Sequence, residues 1–131
     1  MMKTFAIRLR PGEDLKKSLE SFVKDKSIQA GFIITCVGSL KEANLRMANE
    51  LIVTSFKENF EIVSLVGTLS QDGVHLHISL SDKDGKMVGG HLKEGNIVRT
   101  TAEVVIGECE DKKFSRVFDI ETKFKELKVE E

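Results

Sequence analysis

One stretch of this 131-residue chain carries by far its strongest helical periodicity. From Glu13 to Lys26, the residues Leu15, Leu19, Phe22 and Val23 recur on one stripe of an α-helix, and Glu13 and Asp14 suit its positive N-terminal end. Nearly everything else alternates as strands do. "TFAIRLR" sends Phe5, Ile7 and Leu9 one way and Thr4, Ala6, Arg8 and Arg10 the other, and Pro11-Gly12 stops it. One helix among about seven or eight strands, with no repeating strand–helix order, argues against a doubly wound parallel fold. The pattern predicts a single α+β domain over 1–131, a mostly antiparallel curved sheet packed on one main helix.

Two segments ask for more cover than one helix supplies. Phe32 to Leu40 and Phe60 to Ser70 carry large apolar groups at both parities, as strands covered on both faces do. A subunit interface is the simplest source of the missing layer. "EANLRMA" reads as the partner strand of Phe32–Leu40, and "NELIVTSFKEN" as partly loop. "QDG" and "DKDGK" make turns on either side of the alternating "VHLHISLSD". The short "MVGGHL" strand holds two glycines, which mark close approach of another backbone. Ile97 to Glu110 reads as a long strand, "DKKFSR" as a turn and Val117–Ile120 as the last strand. The charged tail, 120–131, reads as a frayed short helix over "ETKFKELKVEE".

Charge limits the partners. Twenty basic and 21 acidic side chains leave a formal net charge of −1, which argues against a strong nucleic-acid footprint. The start lacks a secretory pattern, and no run approaches the roughly 18 apolar residues of a membrane span. A cytoplasmic location is expected, or a nuclear one in a eukaryote. Cys36 and Cys109 sit in apolar strand-like segments and read as buried free thiols of a reducing compartment, with a disulfide as the alternative.

All three histidines, His75, His77 and His91, fall between Val74 and Leu92. Val74, Leu76, Ile78 and Leu80 share one face of their strand, and His75, His77, Ser79 and Ser81 the other. Histidines at i and i+2 on a strand point the same way with Cβ atoms about 7 Å apart, so both rings can reach one ion. Such a pair with one distant histidine can build a three-nitrogen site for zinc or another first-row divalent metal, leaving a fourth position open. The other reading is a polar strand face turned to solvent. A turn at "DKDGK" can fold "MVGGHL" back beside the pair; register and parity then decide whether His91 joins it.

The long strand adds Glu103. Arg99, Thr101 and Glu103 share one parity, and Val98, Thr100, Ala102, Val104 and Ile106 the other. A buried or half-buried Glu103 would need a partner. It could accept a hydrogen bond from a ligand histidine, act as a general base beside a metal-bound water, or form a cross-strand ion pair, for example with Arg99 of a neighbouring chain.

The ordered series "RLRPGEDL", "FIITCVGSL", "NFEIVSLVGTLS", "HLHISLSDKDGKMVGGHL" and "VRTTAEVVI" resembles the plants-and-prokaryotes conserved domain, the PPC domain, and "VFDIETKFKEL" resembles its ending. The resemblance covers nearly the whole chain. It implies an antiparallel sheet beside one main helix, assembled as a homotrimer. It also implies that histidines matching His75, His77 and His91 hold a metal in some stand-alone members, and that DNA binding is assigned by similarity. In land plants the domain follows a basic AT-hook arm and serves nuclear trimerisation and partner binding. Here the segment resembling the plant partner-binding motif is "ENFEIV", with Asn59 in place of an arginine and Glu58 in place of a glycine. The chain shows no Arg-Gly-Arg-Pro arm, so DNA contact is expected to be weak or indirect.

The resulting expectation is a trimeric interaction or regulatory module of the PPC type with a three-histidine metal site and a possible protein partner. The rival expectation is a metal-dependent enzyme acting on a small molecule, with a bound water as nucleophile and Glu103 as base. A third is direct DNA binding.

Overall fold

The computed structural model describes residues 1–49 and 51–131. Strand β1 (Met2–Leu9) leads to helix α1 (Leu15–Asp25), followed by β2 (Gly31–Arg46), β3 (Val53–Phe56), β4 (Phe60–Ser70), β5 (Gly73–Ser81) and β6 (Met87–Leu92). Strand β7 (Ile97–Cys109) and a hairpin of β8 (Lys113–Phe118) and β9 (Lys125–Glu130) complete the chain. The main sheet runs β1-β7-β2-β4-β5-β6, with β3 against β2, and every pairing is antiparallel. The α+β expectation, one helix on a mostly antiparallel sheet, therefore holds.

The helix starts where its cap can form. Asp14 accepts the Lys17 amide at 3.0 Å through one carboxylate oxygen and the Gly95 amide at 2.7 Å through the other. The same side chain thus caps α1 and ties it to the loop before β7. Leu15, Leu19 and Val23 are buried against the sheet, and Phe22 meets Phe5 edge to face at 5.5 Å. The sheet's inner face supplies Leu76, Ile78 and Leu80 from β5 and Val98, Ala102, Val104 and Ile106 from β7. Thr100 does not join them. It is exposed beside an irregularity of the β2–β7 register, and its amide donates to the Ser39 hydroxyl.

β2 departs most from expectation. "EANLRMA" is not the partner of Phe32–Leu40, because both belong largely to one bent strand of 16 residues. No turn residue separates Leu40 from Ala43, and register shifts against β7 at Ile33/Thr35, Gly38/Leu40 and Leu40/Glu42 absorb the bend. The first half of β2 pairs with β4 and β7. The last residues pair with β3 and β6, with Leu45 opposite Leu92 and Arg46 opposite His91. The sheet consequently curls back on itself through β2. The buried Asn96 side chain holds this end, donating to the Asn44 and Lys93 carbonyls at 2.9 and 2.7 Å and accepting the Asn44 amide at 3.1 Å.

The C-terminal segment also differs from its reading. "DKKFSR" is not all turn, since β8 begins at Lys113 and ends at Phe118, short of Ile120. The tail is a strand, β9, rather than a frayed helix. Asp119 shapes the turn by accepting the Glu121 and Thr122 amides, and Lys123 takes a positive φ of 68°. Phe114, Arg116 and Val117 then face Val129, Leu127 and Glu126. Dense charge hid an alternation that only a partner strand makes useful. In "NELIVTSFKEN" the strand is limited to Val53–Phe56, and Glu50 lies outside the described residues.

Both cysteines are free, Cys36 buried and Cys109 only half-buried. Cys36 lies opposite Val104 on β7, and Cys109 is further along that strand by about 16 Å, too far for a disulfide. Burial, with a smaller push from Glu103, raises the Cys36 thiol to about 11.

Gly38 sits where β2 is flanked on both sides, opposite Ile62 and Ala102. A Cβ there would lie 2.1 Å from the Thr101 carbonyl oxygen. Gly38→Ala is expected to destabilise the fold by about 1–3 kcal/mol, read as a lower urea midpoint with native-like far-UV dichroism.

Candidate metal centre

The strand alternation of β5 sets the site. With Leu76, Ile78 and Leu80 buried, His75 and His77 emerge on the opposite, solvent side. The following turn is built by Asp82, whose carboxylate accepts the Asp84 and Lys86 amides, both at 2.9 Å, with Gly85 at a φ of 82°. This turn fixes the register in which His91 of β6 lies directly opposite His77. The β6 glycines answer to crowding. A Cβ on Gly89 would meet the Ile78 carbonyl oxygen at 2.7 Å, and one on Gly90 would meet the Arg46 carbonyl oxygen at 2.8 Å. Without them β6 could not lie so close to both β5 and β2.

The three rings form a nearly even triangle. Their centroids are 5.0 Å (His75–His77), 5.1 Å (His75–His91) and 5.5 Å (His77–His91) apart. One nitrogen from each lies within 4.8 Å of the others. Nitrogens sharing a tetrahedral zinc at about 2.0–2.1 Å would lie about 3.3 Å apart, a difference that small ring rotations close. The donor set fits zinc or another first-row divalent ion, since neutral imidazole serves several of them.

Protonation favours the ligand form. Burial and the neighbouring Arg46 push His91 down to about 4. Burial, then Arg116 and His77, lower His75 in the same direction. Arg46 Nη2 stands 3.4 Å from His91 Nδ1. A guanidinium can only donate, so this contact needs Nδ1 as acceptor and the proton on Nε2.

Glu103 is not among these groups. It is exposed on β7, level with Arg8 of β1 and Val37 of β2. Its carboxylate accepts the Thr101 hydroxyl at 3.3 Å, and Arg8 donates to the same hydroxyl at 3.0 Å. Three strand steps separate β7 from β5, about 14 Å. Within one chain Glu103 therefore cannot act as base beside the histidines, nor accept a hydrogen bond from one of them.

The structure adds residues that the sequence did not single out. Arg46 ends β2 opposite His91. Arg116 reaches back from β8 to donate to the Thr68 hydroxyl at 2.7 Å, and Thr68 lies opposite His75. A cleft of about 400 Å³ opens beside the triad, with Arg46, Val74, His75, His91, Arg116 and Phe124 in its walls. No local spacing marks these residues, because they meet across dozens of positions.

A curled antiparallel sheet on one helix, with three histidines gathered on adjacent strands, defines an α+β domain with a candidate three-histidine site. The chain belongs to the Plants and Prokaryotes Conserved domain family, whose family model matches residues 1–110. Among solved structures, a hypothetical protein of Salmonella cholerae-suis is 40% identical with a TM-score of 0.97, over 99% of this chain and 94% of that one. A metal-containing protein of Archaeoglobus fulgidus is 29% identical with a TM-score of 0.83, over 96% and 93% of the two chains. A bifunctional GlmU protein of Synechococcus sp. (strain JA-3-3Ab) is 42% identical over 98% of this chain but 21% of its own length. AT-hook motif nuclear-localized protein 2 of Arabidopsis thaliana is 30% identical over 77% of this chain and 33% of its own. The chain thus spans about a fifth to a third of the lengths of these two relatives. No helix is long and apolar enough to cross a membrane among the described residues.

His91 sets a pH dependence. Its folded value of about 4 lies below the ordinary 6.5, so between these values the unfolded chain binds the proton and the folded one does not. Stability is fully present above 6.5 and declines as pH falls towards 4. Urea midpoints of the metal-free protein should fall over that window, and His91→Gln should flatten part of the fall. An equally steep decline in the variant would remove His91 from the effect.

Proposed function

We propose that the domain is a metal-binding interaction or regulatory module, holding one first-row divalent ion, preferably zinc, on His75, His77 and His91. The observation that carries this is the convergence of three imidazole nitrogens within 4.8 Å on two adjacent strands. Two of the three histidines are shifted towards the neutral, ligating form. The metal-containing Archaeoglobus relative supports the reading. A bound ion would supply Lewis acidity and an anchoring charge. Glu103, the base of the enzymatic reading, stands three strand steps from the histidines.

Assembly as a trimer belongs to the same proposal. Ile34 and Val37 of β2 are 44% and 58% exposed, and Val63 and Val66 of β4 are 54% and 57% exposed. The pairs Phe32–Thr68 and Gly38–Ile62 put Ile34 level with Val66 and Val37 level with Val63, and Val66 lies opposite His77. An aliphatic patch next to the triad fits a covered face and a site near a subunit boundary. Contact with DNA would be indirect, since a net charge of −1 offers few phosphate contacts.

Protein purified without a histidine tag should carry roughly one zinc per chain after zinc loading and dialysis, and the His75→Ala/His77→Ala variant less than about a tenth. Equal content in both would remove the triad. Arg46→Leu should raise zinc affinity several-fold by calorimetry, because it removes a cation and a competing donor from His91. Light scattering should give a trimer that Val37→Asp/Val66→Asp turns into a monomer. A monomeric wild type would end the trimer reading.

A further inference from the structure

We propose that the cleft beside the histidine triad binds a small organic anion, a carboxylate or phosphate ester, whose oxyanion sits between Arg46 and Arg116. This deepens the metal-centre reading, on which it rests for its functional setting, by naming the ligand class of the same region. The cleft's volume, about 400 Å³, is that of a small-molecule site. Among the described residues, neither guanidinium has a carboxylate oxygen within 4 Å. Each is engaged by a neutral acceptor instead, Arg46 by His91 Nδ1 at 3.4 Å and Arg116 by Thr68 Oγ1 at 2.7 Å.

A guanidinium carries five N–H donors, so both keep donors free for an incoming anion, and the planar fork matches a carboxylate or phosphate. The other charged walls are Lys125, Asp72 and Glu126. Three cations against two carboxylates leave the cleft one positive charge with the histidines neutral. One of those carboxylates, Asp72, already accepts the Arg116 backbone amide at 3.0 Å. Val74 and the 63% exposed Phe124 offer an apolar wall for the body of a ligand.

Arg116 and Phe124 lie on the terminal hairpin, beyond the residues 1–110 matched by the family. Two arginines in a concavity, in a chain without basic excess, fit one small anion better than a duplex, which needs several phosphate contacts.

The test is a titration of metal-free protein with malonate and, separately, with inorganic phosphate, followed by amide NMR. Saturable shifts at Gly73, His75, Arg116 and Phe124 are expected with at least one probe, and the tighter probe names the headgroup. Arg46→Leu and Arg116→Leu should each weaken binding about tenfold or more, the loss of a charge-assisted hydrogen bond. Where Arg116→Leu disturbs the hairpin, Arg46→Leu, on a different strand, decides. No saturable shift with either probe at millimolar concentration would overturn the proposal, as would wild-type affinity in a folded Arg46→Leu variant. Displacement of the probe from these residues by AT-rich duplex would assign the arginines to a nucleic-acid backbone and overturn it too. Because the protein is metal-free, failure here leaves zinc binding by the triad intact, and failure of zinc binding leaves this result intact.

Discussion

The bend of β2 is the constraint on which the rest of the molecule depends. One strand pairs with β4 and β7 along its first half and with β3 and β6 at its end. A flat strand could not reach both sets of partners, because sheet neighbours lie in one surface. Register shifts against β7 turn the strand, and Asn96 holds its far end through two hydrogen bonds to Asn44. β6 is thereby trapped between β5 and β2, where only glycine at positions 89 and 90 leaves room for the neighbouring carbonyls. His91 is carried by this trapped strand, so the geometry of the triad follows from a bend made elsewhere in the fold.

The same closure gives the triad its electrostatic setting. Arg46, the last residue of β2, arrives opposite His91 and adds to the burial that keeps that imidazole neutral. It also competes for the ring, because a metal on either nitrogen forbids the Arg46 contact as it stands. Binding at Nε2 leaves the proton on Nδ1, facing a donor; binding at Nδ1 occupies the acceptor itself. Arg46 must then turn away, and the cleft shared with Arg116 adjoins it. Metal and anion would be coupled through one side chain, each favouring the arrangement the other needs.

The parts of the fold that were legible were those with local signals. The amphipathic stripe of α1 and its Asp14 cap lie within a few residues of one another. The alternation of "VHLHISLSD" put His75 and His77 on the polar face without any partner. The β2 bend was not legible, because a strand with bulges and no turn residue looks like two strands. The terminal hairpin was missed because charge masked its alternation. Strand parity set Glu103 apart from its apolar neighbours, but its distance from the histidines depends on strand order, which no local pattern carries. Arg46 and Arg116 carried no signal at all, since their distances in sequence from His91 and His75 are too long for any local pattern.

The sequence alone determined the helix, the inward and outward faces of the strands, and the pairing of His75 with His77 on one face. These follow from periods of 3.6 and 2.0 residues, which backbone geometry imposes wherever the chain lies. Tertiary structure alone decided that His91 completes the triad, that Glu103 does not, and that two arginines stand beside it. Those outcomes depend on register between strands distant in sequence, and a shift of one residue would have turned each side chain to the opposite face.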